Sequence, residues 1–183
     1  MEKTCRIIVV SDNHGAAAPI EDLKHLYPDA DYFLHLGDSE LTASELQGYI
    51  CVRGNNDWDS GFPNCRTVSV CGHKILMCHG HRDMYTGHYE RLADKAASMG
   101  CDIACFGHTH IYHDSVVNGV RMLNPGSISH NRDGSAPCYM ELTIDEEGVH
   151  ARRMNYKRQK KSGDYHRNEG RSFLDFLFGR KNI

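Results

Sequence analysis

Five short apolar runs, IIVVSDNH, YFLHLGD, YICVRGNND, KILMCH and IACFGHTH, each end in a residue type that can ligate a metal ion. If such runs are parallel neighbours in one sheet, their ends collect at a single edge, which is where open α/β sheets bind ligands. That edge would gather Asp12, His14, Asp38, Asn55, His79, His108 and His110, side chains otherwise scattered over about a hundred residues. The order of types is DxH, GD, GNxD, H and GHxH. All the donors are oxygen or imidazole, with no thiolate among them, a mixture suited to a pair of divalent ions of the Mn, Fe, Zn or Ni kind.

The spacing predicts how these runs are connected. Strands are expected near Arg6 to Val10, Tyr32 to Leu36 and Tyr49 to Val52, with helices through Ile20 to Leu26 and, shorter, near Ala43 to Gln47. Strands apolar at nearly every position and joined by helical patterns indicate a parallel sheet covered on both faces. After Asp57 the segment WDSGFPN, with the single tryptophan Trp58, reads as a loop. Further strands are expected at Thr67 to Val70, Lys74 to Cys78 and Ile103 to Phe106. A helix is expected over Tyr89 to Met99, with Leu92, Ala96 and Met99 on one stripe. The pattern then changes to hairpins: DSVVNGVRML carries Asn-Gly between apolar segments, a strong two-residue turn signal. Pro137 to Ile144 and Val149 to Met154 form a second such pair. The fold class read from the residues is α/β with a β-rich second half.

The same five blocks in this order, together with the NPGS at Asn124 to Ser127, resemble the calcineurin-like metallophosphoesterase superfamily, in particular its small single-domain bacterial and archaeal phosphodiesterases. The resemblance implies two packed mixed β-sheets flanked by helices, a four-layer sandwich with a dinuclear metal site at the sheet edge. It also implies that Asp12, His14 and His110 hold one ion with Asp38, and that Asn55, His79 and His108 hold the second with Asp38 as the bridge. Manganese is the first expectation, with iron, nickel or zinc as alternatives. Such a pair orients a phosphate ester and acidifies a bridging water, so that hydroxide attacks in line and no protein nucleophile is required. Glycines 37, 54, 80 and 107 stand beside the ligands, where the chain must turn sharply and approach the ions.

One block departs from the family pattern. Where the superfamily has GNH followed by an acidic residue, this chain has GNND, which puts Asn56 in the place of the histidine that assists the leaving group. His81, two residues beyond His79, is the candidate replacement donor, and Asp57 is expected to orient a neighbouring ligand. The remaining histidines, His35 among them, have no comparable grammar and are expected to be surface or structural. NPGS is expected to form a tight turn near the site.

Composition bounds the rest. A chain of 183 residues with 40% apolar content supports one core, expected over residues 1–156. No run approaches the ~20 apolar residues of a membrane span, and MEKTCRIIVV enters a strand directly, without the pattern of a signal peptide, so a cytoplasmic location is expected. The net charge of −3 hides an asymmetry, since 10 of the 21 Lys and Arg but only 3 of the 24 Asp and Glu fall in residues 151–183. Residues 157–183 read as a basic tail ending in a short apolar helix. An acidic body disfavours long nucleic acid as a substrate, because polyanion binding draws on phosphate neutralisation. The expected substrate is a small phosphate ester. Relatives form dimers or larger assemblies, which makes a homo-oligomer the implied state, although no symmetric patch is visible. The eight cysteines lack any CxxC pair and are expected to be reduced. The alternative to a phosphodiesterase is a scaffold that keeps the fold without catalysis, suggested by the missing histidine and the tail. A nuclease is a third reading, set back by the acidic body.

Overall fold

The computed structural model describes residues 4–58, 61–84 and 88–158. The basic tail beyond Arg158, with its expected terminal helix, lies outside the described residues.

The described chain runs β1 (Cys5–Val10), α1 (Ala17–Leu26), β2 (Tyr32–His35), β3 (Tyr49–Cys51), β4 (Cys65–Val70), β5 (His73–Cys78), α2 (Glu90–Ser98), β6 (Ile103–Cys105), β7 (Tyr112–Val117), β8 (Val120–Pro125), β9 (Cys138–Asp145) and β10 (Gly148–Asn155). The five apolar runs do not share one sheet. They divide between two five-stranded sheets, ordered β10-β9-β1-β2-β3 and β4-β5-β6-β8-β7. Both are mixed: β1, β2 and β3 are parallel in the first and β5, β6 and β8 in the second, with antiparallel strands outside them. Each sheet sends the C-terminal ends of its parallel strands to the same edge of the sandwich, so the ligand residues still meet.

Two-residue periodicity explains the layers. Ile7 and Val9 of β1 point inward, into a core shared with Ile75 and Met77 of β5, Ile103 of β6 and Leu123 of β8. The alternate residues Ile8 and Val10 point outward onto Ile20 and Leu23 of α1. In the second sheet Leu76, Ala104 and Met122 face Leu92, Ala93 and Ala96 of α2. These strands are apolar on both faces because each sheet is covered twice, once by its helix and once by the other sheet. Met99, expected on the apolar stripe of α2, falls beyond the helix end and is exposed.

Two local expectations change. Residues 43–47 form hydrogen-bonded turns rather than a helix: Thr42 C=O accepts from the amides of Glu45 and Leu46, and Gly48, at φ +93°, ends the segment. So short a stretch cannot offset the cost of a helix nucleus. The cysteines are not all free, because Cys5 at the start of β1 is disulfide-bonded to Cys71 in the β4–β5 turn. The two lie 66 residues apart in sequence and become neighbours only when the sheets stack, which spacing rules cannot see. The bond joins the sheets at the edge opposite the ligand residues. The Asn118 and Gly119 turn forms as the sequence indicates, both residues at positive φ between β7 and β8.

Candidate metal centre

Three loops at the shared edge have the same local form. Asp12 and His14 follow β1, Asp38 and Glu40 follow β2, and His108 and His110 follow β6; each pair is separated by one residue, and all six have positive φ, between +46° and +67°. Left-handed backbone at a non-glycine residue costs roughly 1–2 kcal/mol, and six instances at one edge mark a geometry imposed by its surroundings. Backbone bonds lock the loops together: the amides of Asp12, His14 and Gly15 donate to the carbonyls of Gly37, Asp38 and Ser39. Glycine is required where the loops crowd. A Cβ at Gly54 would lie 2.1 Å from Asp38 Oδ1, and one at Gly107 would lie 2.0 Å from Ser11 Oγ.

Two groups of side chains converge tightly enough to hold an ion, Asp12 with His14 and His110, and Asp12 with Asp38 and His79. His110 Nε2 lies 3.2 Å from Asp12 Oδ1 and 3.2 Å from His14 Nε2, while His79 Nε2 lies 3.4 Å from Asp38 Oδ2. The outward nitrogens of these rings are engaged elsewhere. His79 Nδ1 meets the Leu36 carbonyl at 2.7 Å, His110 Nδ1 meets the His130 carbonyl at 2.9 Å, and His14 Nδ1 meets Glu40 Oε1 at 2.8 Å. Carbonyl and carboxylate oxygens can only accept, so each Nδ1 carries a hydrogen, and in the neutral ring each Nε2 turns its lone pair toward the centre. Asp12 Oδ1 and His79 Nε2 are buried without any hydrogen-bond partner. Acceptors crowded on a carboxylate, with buried atoms left unmatched, fit a cation.

Electrostatics agree with that fit. Burial opposes the charge on Asp12, but His110 and His79 outweigh it and hold the carboxyl below its ordinary value. Asp38 is also held low, with His79 and Asn56 overcoming its burial. At His79 burial is outweighed by Asp38 and Asp12, and His110 is raised first by Asp12, so positive charge is favoured at both rings.

The family model for the calcineurin-like phosphoesterase superfamily domain matches residues 5–147. The chain belongs to that superfamily. Among curated relatives, this phosphoesterase-family chain is 32% identical over 149 residues to the probable metallophosphoesterase YsnB of Bacillus subtilis, covering 80% of this chain and 88% of that protein. A solved Streptococcus pneumoniae protein described as a predicted phosphoesterase shares 28% identity, with a TM-score of 0.79 over 88% of this chain and 95% of that one. Vps29 of Entamoeba histolytica, solved with Zn2+, has a TM-score of 0.64 at 25% identity and covers 83% and 99% of the two chains.

Around this candidate metal centre the other candidate residues fall into distinct places. Asp57 accepts from the amides of Asp38, Ser39, Glu40 and Gly54 and from the Ser39 hydroxyl, all at 2.7–2.9 Å. Burial opposes its charge, yet those donors hold its carboxyl below the usual value. Asp57 therefore fixes the loop that presents Asp38. Asn56 donates its amide N–H to Asp38 Oδ1 and its side-chain Nδ2 to Oδ2, each at 2.8 Å, while Asn55 is exposed on the same loop. His108 sits beside the centre, its ring 5.2 Å from that of His79 and its amide 3.2 Å from Asp12 Oδ2. His81 also faces His79, ring to ring at 5.4 Å.

Sequence reasoning missed Glu40, and it placed His35 only among the surface or structural histidines, without its partners. Glu40 has a readable signal, since DSE repeats the one-residue spacing of DNH and HTH. His35 has none. It is fully buried, accepts from the Gly37 amide and meets Asn13 Oδ1 at 2.8 Å, and burial pushes its pKa down to about 4, so it stays neutral and braces the first loop. NPGS is a brace as well. Its Asn124 donates to the Gly107 carbonyl and its Ser127 hydroxyl to the Asp12 carbonyl, and both side chains are fully buried. That placement leaves them no surface for substrate.

Proposed function

We propose that the chain is a metal-dependent phosphodiesterase acting on a small or exposed phosphate ester. Asp12, His14 and His110 would hold one divalent ion, and Asp12, Asp38 and His79, with His108 and Asn55 from the adjoining loops, the other, so that Asp12 lies in both groups beside Asp38, the bridge that the resemblance implies. Manganese is our first choice of metal. The observation that carries this reading is the pair of buried, unpartnered atoms, Asp12 Oδ1 and His79 Nε2, facing one another 3.9 Å apart. When bound, the ions supply the positive charge that orients ester oxygens and acidifies a water for attack.

The protein's own residues do the positioning. Asp57 and Asn56 fix Asp38, and the Leu36 and His130 carbonyls fix the two rings. His81 supplies a donor where the family histidine is absent: its Nε2 accepts from Arg82 Nε at 3.2 Å, so the neutral ring carries its hydrogen on Nδ1, which is buried and unpartnered. Burial, then the charges of His79 and Arg82, lowers the His81 pKa, which favours that neutral form. With Nδ1 buried, donation to a phosphate or leaving-group oxygen requires the His81 ring to turn, and the neutral ring then acts as a hydrogen-bond donor rather than as a strong acid, which suits esters with good leaving groups.

Likeness to Vps29 supports the alternative, a protein-interaction module without turnover. The cation-fitting group of Asp12, His14, His110, Asp38 and His79 does not separate the two readings, because the Entamoeba histolytica Vps29 is itself solved with Zn2+; turnover separates them. Elemental analysis of the isolated protein, run with hydrolysis of a chromogenic diester and its monoester counterpart, tests the proposal. Expected are close to two divalent ions per chain and turnover that favours the diester and is lost on chelation. Unchanged turnover in metal-free protein overturns it.

A further inference from the structure

Against His79 and His81 lies a cavity of about 240 Å³, lined also by Cys65, Cys78, Asp83 and Lys95. Cys65, the first residue of β4, is the direct cross-strand partner of Cys78, the last residue of β5. Directly opposed residues of an antiparallel pair have Cα atoms roughly 4.5–5.5 Å apart, inside the range a disulfide spans. The two thiols are free. Lys95, from α2, places Nζ 3.0 Å from Cys65 Sγ and is itself held by Asp83 at 2.7 Å. Cys65 is only partly buried, whereas Cys78 is buried behind it. An accessible thiol beside a fixed ammonium, backed by a second thiol in bonding register, is the arrangement of a reactive cysteine with its resolving partner. Nothing in the metal centre uses either sulfur.

We propose that Cys65 and Cys78 form a hydroperoxide-reactive dithiol that closes to a disulfide. The Cys65 thiolate attacks the terminal oxygen of a hydroperoxide; the O–O bond breaks, an S–O bond forms, and the departing oxygen takes up a proton to leave as water or an alcohol. The Cys78 sulfur then attacks the Cys65 sulfenic acid; the S–O bond breaks, the S–S bond forms, and water leaves with the Cys78 proton. Two thiols lose two electrons and the hydroperoxide gains them. Lys95 favours the thiolate in the first step. The pairing is distinct from Cys5–Cys71, whose cysteines lie at the other edge of the sandwich.

Tryptic mapping of the full chain after reduction, reductant removal and treatment with hydrogen peroxide tests this directly, because Cys65, Cys71 and Cys78 fall on different peptides, 54–66, 67–74 and 75–82. The expected result is peptide 54–66 joined to 75–82, two hydrogens lighter than the sum of the separate peptides and released by dithiothreitol. Before oxidation, Cys65 should be the most rapidly carboxymethylated thiol at neutral pH, and Lys95→Met should slow it roughly tenfold. Cys65→Ser should leave Cys78 unmodified by peroxide. The proposal is overturned if both cysteines remain separately alkylatable after peroxide, if either pairs preferentially elsewhere, or if Lys95→Met reacts as fast as wild type. The mapping does not use phosphoesterase turnover, so its outcome is separate from that of the proposed function.

Discussion

The two ligand groups at the sheet edge share Asp12 but differ in depth. Asp38 and His79 are 2% and 1% exposed, and both are clamped, Asp38 by the buried Asp57 and by Asn56 from the loop surface, and His79 by the Leu36 carbonyl. In the outer group the His14 side chain is 29% exposed and is held by Glu40, itself 35% exposed. The inner group is built like a core and the outer like a surface. An ion at the inner position would meet prepaid geometry, whereas one at the outer position must order His14 and Glu40 against solvent. The inner position should therefore bind more tightly and exchange more slowly.

Three substitutions break or sharpen that contrast. Asp12→Ala removes the residue common to both groups and should have the largest effect, with metal content falling to near zero by elemental analysis and diester hydrolysis becoming undetectable. Retention of one ion would show that the groups are independent. Asp57→Asn keeps the shape but replaces an acceptor of five hydrogen bonds with a group half of which donates. Disordering the Asp38 loop should weaken inner-ion affinity by about 10- to 100-fold, measured by competition with a chromogenic chelator. Glu40→Gln should act on the outer ion alone and least strongly, at the lower end of the same range. Its readout is a faster first phase of metal release to chelator with the second phase unchanged; a change in both phases would erase the distinction between inner and outer positions.

What the sequence revealed and what it hid divide along physical lines. Ligand types at strand ends, the Asn118 and Gly119 turn, and the α1 and α2 segments were legible because each depends on neighbours a few residues away. The distribution of the runs over two sheets was not, since a strand buried between helix and sheet has the same apolar pattern in either sheet. For the same reason the partners of Cys5 and of His35 were hidden: each is chosen by stacking, not by spacing. Glu40 was available to a reader who compared the three loops, and Asn56 shows the opposite hazard, an apparent gap in a motif that the fold employs to hold a ligand.

Asp12 belongs to both groups, so two ions could not settle there as unrelated guests. A first occupant draws on the carboxylate's negative charge and fixes its orientation, which alters the affinity of the second, and the influence is mutual by thermodynamic necessity. A singly loaded chain is then a distinct species rather than half of the loaded one, and titrations of this protein with metal should be fitted as one coupled event.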